Sequence, residues 1–222
     1  MNDSIKVLLD NIEKVIVGKR PVLEQLMTAL LCDGHVLIED IPGVGKTQIV
    51  GTLAKSVNGV FNRIQFTPDV MPSDIMGFSM FNPSTREFEY KEGAAMCNFL
   101  LADEINRTSP KTQSSLLEIM EESQVTVDGK TYSLPKPFMV LATQNPVECF
   151  GTYPLPEAQM DRFFLKLSIG YPGKAGEMII LDRFGGNNPL ADLEPVATTN
   201  DILNLQNQVK EVKIQECLKE YI

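Results

Sequence analysis

Asp40-Ile-Pro-Gly-Val-Gly-Lys-Thr47, directly after the apolar run Val36-Leu-Ile-Glu39, is the stretch around which the chain is organised. A short apolar run, a glycine-rich turn and then Ile49, Val50, Leu53 and Val57 at helical spacing predict strand, loop and helix in succession. Such a junction aims backbone N–H groups and a helix N-terminus at one point, which suits a polyphosphate. The pattern is G-x-x-x-x-G-K-[ST] with Asp40 standing where the first glycine usually does. Pro42, Gly43, Val44, Gly45, Lys46, Thr47 and Gln48 are the expected contact run, with Lys46 reaching the β/γ-phosphates and Thr47 holding Mg²⁺. The Asp40 carboxylate would have to point away from those phosphates. An ordinary Pro-Gly turn ahead of a helix is the competing reading of the same residues.

Around this stretch, 222 residues with 43% hydrophobic content suit one larger domain and a small one. Net charge is −9 and no long Lys/Arg run occurs, which argues against a broad electrostatic footprint for DNA or RNA. Cys32, Cys97, Cys149 and Cys217 form no C-x-x-C pair and read as reduced thiols of a cytosolic protein. No leader-like pattern opens the sequence and no segment approaches the roughly 20 apolar residues of a membrane span, so a cytoplasmic location is expected. His35 reads as a polar residue at a strand edge, without a role.

Upstream, Ser4 can cap a helix carrying Ile5, Leu8, Leu9 and Ile12, and Pro21 opens a second one. Between them Ile16, Val17 and Gly18 form an apolar turn that could cup an adenine base, or pack in the core. Downstream, 59–66 alternates as a strand, and a short helix near Pro72 is stopped by Gly77. Two hairpins are expected: Phe78–Phe81 with Phe88–Tyr90, and Val125–Tyr132 about the Asp128-Gly129 turn. A long helix starts at Ser109-Pro110 and puts Leu116, Leu117, Ile119 and Met120 inward.

Two further buried-type strands end in polar residues. Phe99–Ala102 delivers Asp103 and Glu104; Phe138–Ala142 delivers Thr143 to Pro146. Ligands of open parallel sheets lie beyond the carboxyl ends of the strands, so these residues should face the glycine-rich loop. Asp103 is then the candidate for the Mg²⁺ hydration shell, Glu104 for activating the attacking water, and Asn145 for hydrogen bonding water or γ-phosphate. Taken alone, Asp103-Glu104 could equally cap a helix. A short helix at 156–161 leads through Arg162 to a last strand, Phe163–Ile169. Beyond Tyr171-Pro-Gly173, helical stretches at 177–184, 200–208 and 212–221 suggest a separate piece that stops mid-pattern, as a truncated product would.

Asp40 to Thr47, Phe99 to Glu104, Thr143 to Pro146 and Asp161-Arg-Phe163 together resemble the AAA+ ATPases. More narrowly, Gln65-Phe-Thr-Pro-Asp-Val-Met-Pro-Ser-Asp74, Ala102-Asp-Glu-Ile-Asn-Arg107 and Leu155-Pro-Glu-Ala-Gln-Met-Asp-Arg-Phe163 resemble the MoxR family, over nearly all of residues 1–172. The resemblance implies an α/β P-loop core with a five-stranded parallel sheet, the first hairpin as a helix-2 insert, the second preceding sensor 1, and a partial helical lid over 173–222. It implies ATP and Mg²⁺ as ligands, Asn145 as sensor 1, and Arg162, ahead of Arg183, as an arginine finger offered to a neighbouring subunit. A ring, a hexamer in full-length relatives, would remodel client proteins, with von Willebrand factor A domain proteins among the expected partners. A nucleotide-gated binding module and a helicase-like motor are the alternatives. A sensor 2 arginine from a later lid helix has no candidate before Ile222.

Overall fold

The computed structural model describes residues 3–41, 43–145, 151–184, 189–219 and 221. Two helices, α1 (Asp3–Glu13) and α2 (Arg20–Leu31), precede strand β1 (Val36–Glu39). The order continues α3 (Lys46–Ser56), β2 (Phe61–Gln65), α4 (Pro72–Met76), β3 (Gly77–Asn82), β4 (Glu87–Glu92) and β5 (Phe99–Asp103). Next come α5 (Pro110–Glu122), β6 (Gln124–Val127), β7 (Lys130–Ser133), β8 (Met139–Gln144), α6 (Glu157–Met160) and β9 (Leu165–Leu167). Three helices close the described chain: α7 (Lys174–Phe184), α8 (Thr199–Lys210) and α9 (Glu216–Lys219).

Five strands form one parallel sheet in the order β2-β5-β8-β1-β9. Its central strands are apolar on both faces because helices cover both. Val36 and Ile38 of β1 join Leu8, Leu26, Val50 and Leu101 on the side of α1, α2 and α3. Leu37 joins Leu100, Val140, Leu116 and Ile119 on the side of α5. The alternation within one four-residue strand thus splits the interior into two layers. α8 belongs to the first layer: Ile202 and Leu205 are buried there, and Gln206 Nε2 donates to the Leu30 carbonyl at 2.7 Å.

Both expected hairpins form, as separate two-stranded sheets β3–β4 and β6–β7. The neck of the first is built on Gly77, at φ 89°, and Gly93; a Cβ on either would run into backbone across the neck. Tyr90 of β4 stacks on Tyr132 of β7 with ring centroids 4.0 Å apart, so the two hairpins touch.

Three local readings change. β9 is shorter than 163–169 because the amides of Ile169 and Gly170 turn to the Asp40 carboxylate instead of extending the ladder. The last helix covers Glu216–Lys219 rather than 212–221. His35 is no edge residue: at 8% exposure its Nδ1 accepts from Val140 N–H and its Nε2 donates to the Met120 carbonyl, both at 3.0 Å. Burial holds its pKa below the usual imidazole value, in keeping with a neutral ring that needs Nδ1 as an acceptor.

Candidate functional site

Gly43 and Gly45 have φ of 87° and 86°, and a Cβ at either would meet nothing within 4 Å. Glycine is therefore required by backbone conformation, and the loop keeps an open cradle ahead of α3. Lys46 Nζ donates to the Asp40 carbonyl at 2.9 Å, which draws the lysine across the loop. The Asp40 side chain points the other way. Its Oδ2 accepts from Ile169 N–H at 2.7 Å, Gly170 N–H at 2.6 Å and Ser168 Oγ at 3.2 Å, and Oδ1 accepts from Ile41 N–H at 2.9 Å. Burial alone would raise its pKa, but the donors outweigh burial and the carboxyl sits below its ordinary value. Asp40 thus ties the start of the loop to the exit of β9.

A cleft of about 380 Å³ is lined by Gly43, Gly45, Lys46, Thr47, Gln48, Arg63, Gln65, Asp103 and Glu104. It joins the N-terminus of α3 to the carboxyl ends of β2 and β5, so Lys46, Thr47, Asp103 and Glu104 face one space as the strand-end argument expects. Asp103 Oδ1 accepts from Thr143 Oγ1 at 2.6 Å, and Oδ2 pairs with Arg63 Nη2 at 2.7 Å. Glu104 adopts a left-handed conformation, φ 59° and ψ 49°, which costs a non-glycine residue about 1 kcal/mol. Its N–H donates to the same Thr143 Oγ1 at 2.8 Å, fixing the turn. Its Oε2 accepts from Gln65 Nε2 and pairs with Arg107 Nε, each at 2.9 Å.

A second, more apolar cavity of about 290 Å³ adjoins the loop, lined among others by Ile16, Val17, Val44, Gln48, Tyr171 and Ile180. Gly43, Gly45 and Gln48 border both spaces, so the pair is continuous around the loop. Gly18 supplies the turn, at φ 68°, and is not among the wall residues. Lys19 Nζ donates to the carbonyls of Ile169 and Tyr171, at 2.7 and 2.9 Å, closing the cavity's far side.

The remaining sequence candidates stand apart. Asn145 is buried at the end of β8 and does not line the cleft; Pro42 and Pro146 lie outside the described residues. Arg162 Nη1 pairs with Glu121 Oε2 at 2.5 Å and donates to the Leu117 carbonyl at 3.2 Å, on the flank of α5 and away from the chain's own loop. Arg183 Nη1 caps α1 through the carbonyls of Glu13 and Lys14, at 3.1 and 2.9 Å. Arg63, Thr143 and Lys19 join the site without any motif that marks them in the sequence. The alternation of β2 puts Phe61, Arg63 and Gln65 on one face, but their meeting with Asp103 and Glu104 depends on β2 lying beside β5.

Thr47 hydroxyl and Asp103 carboxylate are hard oxygen donors, and no cluster of three His, Cys, Asp or Glu occurs among the described residues. That donor set fits a Mg²⁺ ion that takes one or two protein oxygens and completes its shell with phosphate and water. No described helix is long and apolar enough to cross a membrane.

Residues 35–165 match the ATPase family associated with various cellular activities (AAA). The chain is 55% identical over 214 residues to the uncharacterized protein YeaC of Bacillus subtilis, covering 96% of this chain and 67% of that one. It is 45% identical over 211 residues to chaperone MoxR1 of Mycobacterium tuberculosis, covering 95% of this chain and 55% of the relative. A crystal structure from Cytophaga hutchinsonii, provisionally assigned as an ATPase, superposes with a TM-score of 0.91 at 45% identity, over 99% of this chain and 66% of that one. The chain therefore spans between about half and two thirds of the length of these relatives.

Proposed function

Since the chain belongs to the MoxR family of AAA+ ATPases, we propose that it binds ATP with Mg²⁺ across the cleft between α3 and β5 and hydrolyses it to ADP and phosphate. The observation that carries this reading is the convergence of Lys46 and Thr47 with Asp103 and Glu104 on one cleft, next to an apolar cavity sized for a base. Ile16 and Val17 would pack the adenine, with Gly18 setting their turn. The backbone N–H groups of Gly43 through Gln48 and the Lys46 ammonium would hold the phosphates. A bound Mg²⁺ would supply positive charge to offset what develops on the phosphates during transfer. Thr47 and Asp103 would position it. Glu104 would accept a proton as water attacks the γ-phosphorus and the bond to the bridging oxygen breaks; Asn145, buried at the end of β8, would have to turn toward the cleft to help orient that water.

Arg162 is supplied to a neighbour in this reading. Its pairing with exposed Glu121 on the outer flank of α5 supports a role between subunits, in a ring that would be a hexamer. Residues 173–222 would belong to a lid over the nucleotide, anchored to the core by α8. The two hairpins would pass nucleotide-dependent motion to a client protein, through a partner with a von Willebrand factor A domain, in the cytoplasm. The acidic net charge supports leaving the helicase-like alternative aside.

A second reading, a nucleotide-gated module with little turnover, is favoured by one observation. Gln65 and Arg107 both engage Glu104 Oε2, and that oxygen must exchange them for water before it can act. Both readings require nucleotide binding, so that is tested first. Fluorescent ATP-analogue titration should show binding that weakens about 10- to 100-fold in Lys46→Ala, the size of a lost hydrogen bond to a charged group. Equal affinity in the two proteins would contradict the site.

A further inference from the structure

The two acids of the cleft are held by one chain of contacts. Arg63 Nη2 pairs with Asp103 Oδ2 at 2.7 Å and donates to Gln65 Oε1 at 3.0 Å, while Gln65 Nε2 donates to Glu104 Oε2 at 2.9 Å. The other oxygen of Asp103 is taken by the Thr143 hydroxyl. A guanidinium thus sits on the carboxylate proposed to serve a divalent cation, and it lines the phosphate cleft itself. Its side chain is 46% exposed and reaches from β2, an edge strand of the sheet, so little packing opposes its movement.

We propose that Arg63 is a positioning residue that guards Asp103: it occupies the carboxylate as an internal cation and transfers to nucleotide phosphate when the divalent ion arrives. This rests on the nucleotide reading given above. A metal ion and a guanidinium on one carboxylate repel each other, so each weakens the other's hold on Asp103 and metal arrival favours the departure of Arg63. Phosphate oxygens in the same cleft are the obvious destination for a planar, always-charged group with several donors. Metal and nucleotide then bind synergistically, because each clears a place for the other. Arg63 also touches Gln65, so its departure loosens the network that engages Glu104 and links metal arrival to release of the base.

The test is divalent-ion binding, independent of turnover. Mn²⁺ is titrated into wild type, Arg63→Gln and Arg63→Lys without nucleotide and followed by paramagnetic resonance. Affinity for a fluorescent ADP analogue is measured in parallel in chelator. Arg63→Gln should bind Mn²⁺ about three- to fivefold more tightly than wild type, the size of a part-exposed ion pair, and should bind the ADP analogue more weakly without metal. Arg63→Lys, which keeps the charge, should stay near wild type in Mn²⁺ affinity. Circular dichroism and thermal melts confirm that both variants fold, as expected for a half-exposed edge residue. Unchanged or weaker Mn²⁺ binding in Arg63→Gln, or equal tightening in both variants, overturns the guard. Failure of wild type to bind the ADP analogue would contradict the nucleotide reading instead, so the two failures are distinct.

Discussion

At Asp40 a single side chain accepts from three backbone amides and a hydroxyl, joining the loop before α3 to the exit of β9. Its ionised form is the one the fold prefers, since the pKa is lowered despite burial. As pH falls the unfolded chain takes up this proton first, near its ordinary value of about 3.9. The stabilisation is therefore complete above that value and drains away as pH drops through the lowered folded one. Asp40→Asn should cost about 1–3 kcal/mol at neutral pH, and the gap to wild type in urea unfolding should narrow in acid. The departure from the usual glycine is thus a structural tie, not a charge aimed at phosphate. Lys46, Thr47, Asp103 and Glu104 were legible in sequence as residues meeting in one place, because motif and strand-end rules need only local pattern. Arg63 and Thr143 were not, since their contacts with Asp103 require knowing that β5 lies between β2 and β8. His35 looked like an edge residue for the same reason: only the assembled sheet buries it between Met120 and Val140.

Among the elements, the five strands of the parallel sheet and both hairpins could be read from apolar runs, alternation and the Asp128-Gly129 turn, signals that reach only a few residues along the chain. What such signals miss is the stack of Tyr90 on Tyr132, two side chains 42 residues apart in sequence that join the hairpins. Tyr90 Oη also donates to the Met76 carbonyl at 2.5 Å, tying the stack to the end of α4. The two hairpins are accordingly predicted to move together rather than as independent arms. A double-mutant cycle with Tyr90→Leu and Tyr132→Leu should give a coupling energy of about 0.5–1.5 kcal/mol in chemical unfolding. Additive single effects would mean that the stack carries no coupling. The same limit explains β9: its shortened ladder follows from a carboxylate more than 100 residues earlier in the chain.

For the whole molecule, the geometry divides the proposed machinery between what one chain assembles and what it offers elsewhere. Loop, acids and base pocket are brought together within the chain, whereas Arg162 stands on the flank of α5 with Glu121. Mixing Arg162→Ala with Lys46→Ala protein should recover part of the ATPase activity if subunits share sites, because some junctions then combine an intact loop with an intact arginine. No recovery, or full activity of Arg162→Ala alone, would remove Arg162 from the mechanism. Steady-state phosphate release by wild type and Glu104→Gln with Mg²⁺ decides whether the cleft of α3 and β5 hydrolyses ATP. Hydrolysis predicts turnover by wild type and a fall of about 10²-fold or more in the variant, with nucleotide binding retained. Equal phosphate release from the two proteins, with binding intact, would contradict it.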